Sequence, residues 1–173
     1  MMNLKSLLTW AGIGSFTGFA MAVPLYSLTG NGKAVFAVYA GLLLGVILGR
    51  KRKLELRASA LAFPLGFLAT TLLAAVTMVT KPGSLPLYLL LAVVMGTMII
   101  IGPENYLDMF LAPLSYFGGF AVGMLTFRGY EPLQGQPGAV MGLFLLGVMG
   151  ATLVFFGLFA RWAFEVARNI PRR

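Results

Sequence analysis

Cysteine and histidine are both missing from the 173 residues. Their absence rules out disulfides, thiolate nucleophiles, His-ligated haem and the usual zinc sites. Acidic residues are nearly as scarce, with five Asp and Glu against 13 Lys and Arg. Chemistry must therefore come from a few carboxylates, hydroxyls, Tyr, Lys, Arg or backbone groups, and no cofactor or metal is implied.

Charge of either sign is also in short supply. Charged residues make up 10% of the chain and hydrophobic ones 59%, whereas soluble domains carry about 25% charged residues. With a mean hydropathy of +0.90, the composition points to an integral membrane protein whose first partner is the lipid bilayer. In a soluble protein, a formal charge of +8 would raise nucleic acid as a partner. Here the basic residues are confined to loops and tails and build no groove, so no nucleic-acid partner is expected. The first apolar run extends from Leu7 to Leu28, beyond the roughly 7–15 residues of a cleavable signal core. No removable segment is expected.

What the chain has in abundance is apolar runs. They cover about 7–27, 34–49, 58–79, 86–101, 107–127 and 138–161, and a bilayer crossing takes about 20 helical residues. The expectation is a single all-α domain over 1–173, a polytopic bundle of six transmembrane helices. The second and fourth runs are short and are expected to be thin, broken or partly re-entrant. The loop Arg50 to Arg57 holds five basic residues against one Glu, and the tail 163–173 adds Arg168, Arg172 and Arg173. Loops rich in Lys and Arg stay in the cytoplasm. Both termini are therefore expected inside, with Lys33, Lys81 and Arg128 in the external loops. Trp10, Tyr106 and Trp162 fall at the inner boundary and Tyr26, Tyr88 and Tyr130 at the outer one. Tyr39 and Tyr116 fall within spans, where a phenol needs a partner or water.

Small residues recur at four-residue spacing: Gly14 and Gly18, then Gly41, Gly45 and Gly49, then Gly119 and Gly123, then Gly138 and Gly142. Lipid gives helices no hydrophobic reason to associate, so close approach through small faces is expected to hold the bundle together. The alternative is that some of these glycines line a narrow pore. A faint internal repeat accompanies them. "SFTGFAM" (Ser15 to Met21) resembles "YFGGFAV" (Tyr116 to Val122), and "AVYAGLLLGV" (Ala37 to Val46) resembles "AVMGLFLLGV" (Ala139 to Val148). "FPLGFLA" (Phe63 to Ala69) and "VVMGTMI" (Val93 to Ile99) form a weaker middle copy. The pattern suggests three in-out-in helical hairpins related about an axis along the membrane normal.

Two clusters are candidates for function. Glu104 and Asp108 are spaced i, i+4 and would share a helix face. With Gly102, Pro103 and Asn105 before them they read as the start of the fifth helix, acids at the positive end of its dipole. Alternatively they form a cation or proton site at the cytoplasmic mouth. A catalytic pair needs environments that separate the two pKa values, which a wet interface does not offer, so no enzyme is expected. The second cluster is "LAPLSYFGG". Pro113 frees a carbonyl, and Ser115, Tyr116, Gly118 and Gly119 follow within two turns, as a solute-lining kink would require. Tyr39 joins them as a pathway candidate. The competing reading is that each span hydroxyl bonds back to its own helix.

Through Pro113, Ser115, Tyr116, Gly118 and Ala121, then Pro137, Gly142 and Gly147, the chain resembles the YcdZ-like family of small bacterial inner-membrane proteins. "GSFTGF" and "VFAVYAG" in the first hairpin are similar more loosely. The resemblance implies a multi-pass protein of the bacterial inner membrane and lends no activity.

Proton-coupled carriers place an ionisable group near the bilayer midplane, and none of the six runs has one. The expected function is therefore a passive channel or facilitator for a small, uncharged or weakly polar solute, formed by a homo-oligomer or by the pseudo-repeat. The alternative is a non-transport assembly subunit that docks a partner through its glycine-rich faces.

Overall fold

The computed structural model describes residues 4–51, 56–79, 84–126 and 137–169. The middle of the basic loop (52–55), Lys81, Arg128, Tyr130, Glu131, Arg172 and Arg173 lie outside the described residues. Among the described residues all regular structure is helical. The order is α1 (Leu4–Thr29), a 3-10 turn (Gly32–Val35), α2 (Phe36–Lys51), α3 (Arg57–Val79), α4 (Ser84–Ile101), α5 (Tyr106–Thr126) and α6 (Pro137–Asn169).

Local chemistry accounts for the ends. Asn31 accepts from the Lys33 amide at 3.0 Å and so starts the 3-10 turn that leads into α2. Gly102 closes α4 with φ of 67°, its N–H donating to the Met98 carbonyl at 2.9 Å. That left-handed cap costs a residue without a Cβ nothing. α6 continues to Asn169, so most of the expected tail 163–173 forms its last turns. Arg161 and Glu165 pair at i, i+4, and Arg168 in the last turn complements the negative end of the dipole. Both α3 and α5 run unbroken through a proline, Pro64 and Pro113.

Backbone-to-backbone contact through glycine decides which helices pair. In α1 and α2, which run antiparallel, Gly14 and Gly41 lie against each other's carbonyls, Gly18 against Ala37 and Gly45 against Trp10. In α3 and α5, which run parallel, Gly66 sits on the Tyr116 carbonyl and Gly119 on the Phe63 carbonyl. A Cβ at any of these positions would overlap main-chain atoms. Thr70 fastens the second pair, its hydroxyl donating to the carbonyls of Gly66 and Phe120, each at 3.0 Å. α6 packs antiparallel along α5, and α4 packs along α6.

Three equivalent hairpins would have paired α3 with α4. Instead α3 lies chiefly along α5 and touches α4 only lightly. The physical reason is the placement of small residues: Gly66 and Gly119 fit each other's helix, whereas Gly96 of α4 has nothing within 4 Å.

The core lies among α3 to α6, from Ala58, Ala62, Ala69, Val94, Met98, Met109, Ala112, Tyr116, Phe120, Val154 and Leu158. The α1/α2 pair joins this block through α1, which meets α3 and α5. Among the described residues, α2 touches only α1 and the turn before it. Large apolar side chains cover the outside, including Phe36, Leu43 and Ile47 on α2, Val93 and Ile100 on α4, Leu114 and Leu125 on α5, and Phe144 and Phe156 on α6. Soluble monomers rarely leave contiguous apolar patches beyond a few hundred Å². Two helical segments, Tyr106–Thr126 and Met141–Asn169, are long and apolar enough to cross a membrane.

Candidate functional site

Although they are close in sequence, Glu104 in the α4–α5 turn and Asp108 in the first turn of α5 have separate fates. Asp108 is fully buried, and its carboxylate leaves its own helix to cap the start of α3. Oδ1 accepts from the Ser59 amide at 2.8 Å and the Ser59 hydroxyl at 2.6 Å, and Oδ2 accepts from the Ala58 amide at 3.1 Å. Oδ2 also receives the Glu104 amide at 3.3 Å. The first N–H groups of a helix have no intrahelical acceptor, and a carboxylate there also meets the positive end of the dipole. Residue 108 is in turn held by Asn105, whose Oδ1 accepts its amide at 2.7 Å and so caps α5.

The fifth helix does start in this stretch, with Asp108 in its first turn, but Asn105 is its cap and the Asp108 carboxylate caps the third helix as well. The bonds of that carboxylate are all to protein donors, and Asp108 lines neither of the two cavities described below. Glu104 turns outward and pairs with Arg57 at the start of α3. The two acids therefore do not form a common mouth site, since only Glu104 reaches a cavity.

That cavity, of about 210 Å³, opens where the α4–α5 turn meets the end of α6. Its walls are Pro103, Glu104, Asn105, Tyr106, Met109, Trp162 and Glu165. The Tyr106 and Trp162 rings meet edge to face at 5.9 Å. Behind it, Arg161 Nε lies 2.7 Å from Glu165, and the Arg161 stem crosses the open side of Gly102, where a Cβ would come within 2.9 Å of it.

A larger cleft of about 310 Å³ lies where the two glycine-paired units meet. Trp10, Ile13, Gly14 and Thr17 of α1 and Gly41, Leu44 and Gly45 of α2 form one side; Ala60 and Phe63 of α3 and Ser115 of α5 form the other. The lining is apolar apart from the Thr17 and Ser115 hydroxyls. Other span hydroxyls bond back along their helices. Ser15, Thr70, Thr71 and Thr97 each donate to the carbonyl four residues before, at 2.7–3.0 Å.

The structure divides the "LAPLSYFGG" cluster by helix face. Ser115 reaches the cleft. Tyr116 points to the opposite side, about 1% exposed, with its ring stacked near Phe120 and its hydroxyl end over Gly150. A Cβ at 150 would meet that ring at 2.5 Å. Gly119 is packed against α3, Gly118 is half-buried near Phe63, and Pro113 is half-buried. Tyr39 is not brought to this group, because it lies exposed on the outer side of α2 beside Phe36. Trp10 is buried, with its carbonyl against Gly45 and the residue in the cleft lining.

Sequence reasoning missed Ser59, the main partner of Asp108, and the single glycines Gly66 and Gly150. A hydroxyl two residues after Arg57, at a helix start, was the available signal for Ser59. Gly150 has no glycine four residues away and so gives no periodic sign, whereas Gly66 stands in the middle repeat copy "FPLGFLA" at the place of Gly18 and Gly119.

Comparison with protein-family models gave no match. Neither curated proteins nor solved structures matched the chain. The resemblance to the YcdZ-like family therefore rests on the residues quoted for it above.

Proposed function

We propose that the chain is a multi-pass protein of the bacterial inner membrane, with both termini cytoplasmic, and that it is a passive facilitator for a small, weakly polar solute. The α1/α2–α3/α5 cleft carries this reading. It is an apolar chamber large enough for a small molecule, at the junction of two tightly paired units, with one hydroxyl on each side (Thr17 and Ser115) to replace part of a solute's hydration. The apolar exterior and the two long apolar helices support the membrane setting. The remaining apolar segments, Leu7–Val23, Gly32–Ile47, Arg57–Leu73 and Tyr88–Ile101, are read as the other four crossings, shortened because bundle packing shields their ends.

The test is stopped-flow flux of small neutral solutes into proteoliposomes. The wild-type protein should exceed protein-free liposomes, and Ser115→Phe, which fills the cleft from α5 without touching a glycine seam, should return flux to that baseline. Flux equal to baseline for every solute tried, or an undiminished Ser115→Phe variant, overturns the proposal.

One observation favours a second reading, assembly with a partner or a second copy. Among the described residues α2 touches only α1 and the turn before it and shows Phe36, Leu43 and Ile47 outward, and Gly96 and Gly142 have nothing within 4 Å. A baseline flux together with a stable oligomer crosslinked through α2 would select this reading.

A further inference from the structure

We propose that the cavity at the α4–α5 turn binds the ammonium headgroup of an aminoethyl phospholipid, with an acyl chain lying along the row of aromatic rings on α5 and α6. The inference rests on the membrane setting argued above and is independent of the facilitator reading.

Three features of the cavity select a cation of this shape. Two of the chain's five acidic residues, Glu104 and Glu165, line it, and no Lys or Arg does. Their ion-pair partners, Arg57 and Arg161, hold them from outside the lining. Tyr106 and Trp162 supply aromatic surface beside the carboxylates, and ring faces attract ammonium groups. A volume of about 210 Å³ admits a compact aminoethyl group together with water.

The row of rings on α5 and α6 argues for a lipid as the source. From the cavity a chain of rings runs down α5 and α6. Trp162 lies 5.7 Å from Phe159, Phe159 lies 6.1 Å from Phe155, and Phe155 lies 5.8 Å from Phe110. Phe110 and Phe159 are exposed, so the row offers a continuous apolar track that begins at a polar cavity. Such a track suits a molecule with an ammonium at one end and a hydrocarbon chain at the other. Arg57 and Arg161, outside the lining, can meet the phosphate next to the ammonium.

Trp162 provides the readout, because Trp10 is the only other tryptophan. The Trp10→Phe protein, purified in a maltoside detergent that carries no ammonium, is titrated with phosphatidylethanolamine, phosphatidylglycerol or free ethanolamine while Trp162 emission is followed. Phosphatidylethanolamine should give a saturable change, Glu104→Gln/Glu165→Gln should weaken it about tenfold, and Phe159→Ala should weaken it severalfold. Far-UV circular dichroism shows that each variant is folded. Equal response to phosphatidylglycerol, or an unchanged affinity in the double Gln variant, overturns the ammonium assignment. Free ethanolamine binding as tightly as the lipid overturns the lipid source. A chain that stays in solution without detergent overturns the membrane setting itself, and liposome flux separately tests the facilitator.

Discussion

Asp108→Ala should be among the most damaging single substitutions in the chain, and its cost can be worked out from the donors it strands. Losing the cap on α3 costs about 0.5–2 kcal/mol. The Ser59 hydroxyl loses its 2.6 Å carboxylate acceptor but keeps the Asp108 carbonyl at 3.1 Å, so exchanging a charged acceptor for a neutral one adds about 1 kcal/mol. The Ala58 and Ser59 amides are already counted in the cap, so the total is about 1.5–3 kcal/mol. Asp108→Asn preserves the shape but exchanges one acceptor oxygen for an NH₂. Whichever way the amide turns, that donor faces other donors, from Ser59 on one side or from Ala58 and Glu104 on the other. A loss of about 1–3 kcal/mol follows from one misfit edge. Equilibrium unfolding in mixed detergent micelles, followed by circular dichroism, measures both variants. A double-mutant cycle sharpens the test: in a Ser59→Ala background no hydroxyl loses a charged acceptor, so Asp108→Ala should cost about 1 kcal/mol less. Additive costs, or an Asp108→Asn protein within about 0.5 kcal/mol of wild type, would refute the interhelical cap.

The same unfolding assay tests the glycine seams. Gly66→Ala and Gly119→Ala place a Cβ on a main-chain carbonyl, which cannot rotate away, so each should lower stability by about 2 kcal/mol or more, whereas Gly96→Ala and Gly142→Ala should be neutral or slightly stabilising. Gly150→Ala meets a side chain instead of backbone, 2.5 Å from the Tyr116 ring; a displaced ring and a loss of about 1–3 kcal/mol are expected, relieved if Tyr116 is cut to Leu in the same chain. Arg57→Gln breaks only a half-exposed ion pair with Glu104 and should change stability by less than about 1 kcal/mol.

The sequence reading succeeded where the controlling signal was local or periodic. Apolar runs and the Gly-Pro-Glu-Asn break placed the helix ends to within three residues apart from the end of α6, which runs eight residues past the expected 161, and the four-residue glycine spacing marked the small faces that meet in the α1/α2 seam without saying which would pair. It faltered where a residue's role is set by a helix it meets only in space. Asp108 has every local mark of an N-terminal acid, and nothing in its own segment says that its carboxylate serves Ser59, 49 residues earlier. Ser115 and Tyr116 failed as a joint site for a simpler reason. Successive residues on a helix point about 100° apart, so one could reach the cleft only if the other turned into the core.

The placement of polar groups limits how such a bundle can move. Within each glycine-sealed pair, backbone lies on backbone, and sliding either helix drives Cα hydrogens into carbonyls, so each pair moves as a unit. Among the described residues α1/α2 meets the rest through α1, by way of an apolar cleft that contains glycine surface and two hydroxyls. The buried hydrogen bonds Asp108–Ser59 and Thr70–Phe120 both lie within the α3/α5 pair. The softest coordinate of the molecule is therefore the separation of α1/α2 from α3/α5, and the chamber that would hold a solute lies on it. Cysteines at Ala60 and Leu44, both in the cleft wall, sit on helices with no Cα pair within 8 Å, too far for a disulfide, so a bis-maleimide that spans the cleft should lock this coordinate. If the cleft is the pathway, flux falls once both cysteines have reacted and is unchanged in either single-cysteine protein; flux indifferent to a formed crosslink would mean that the cleft does not open and that solute passes elsewhere or not at all.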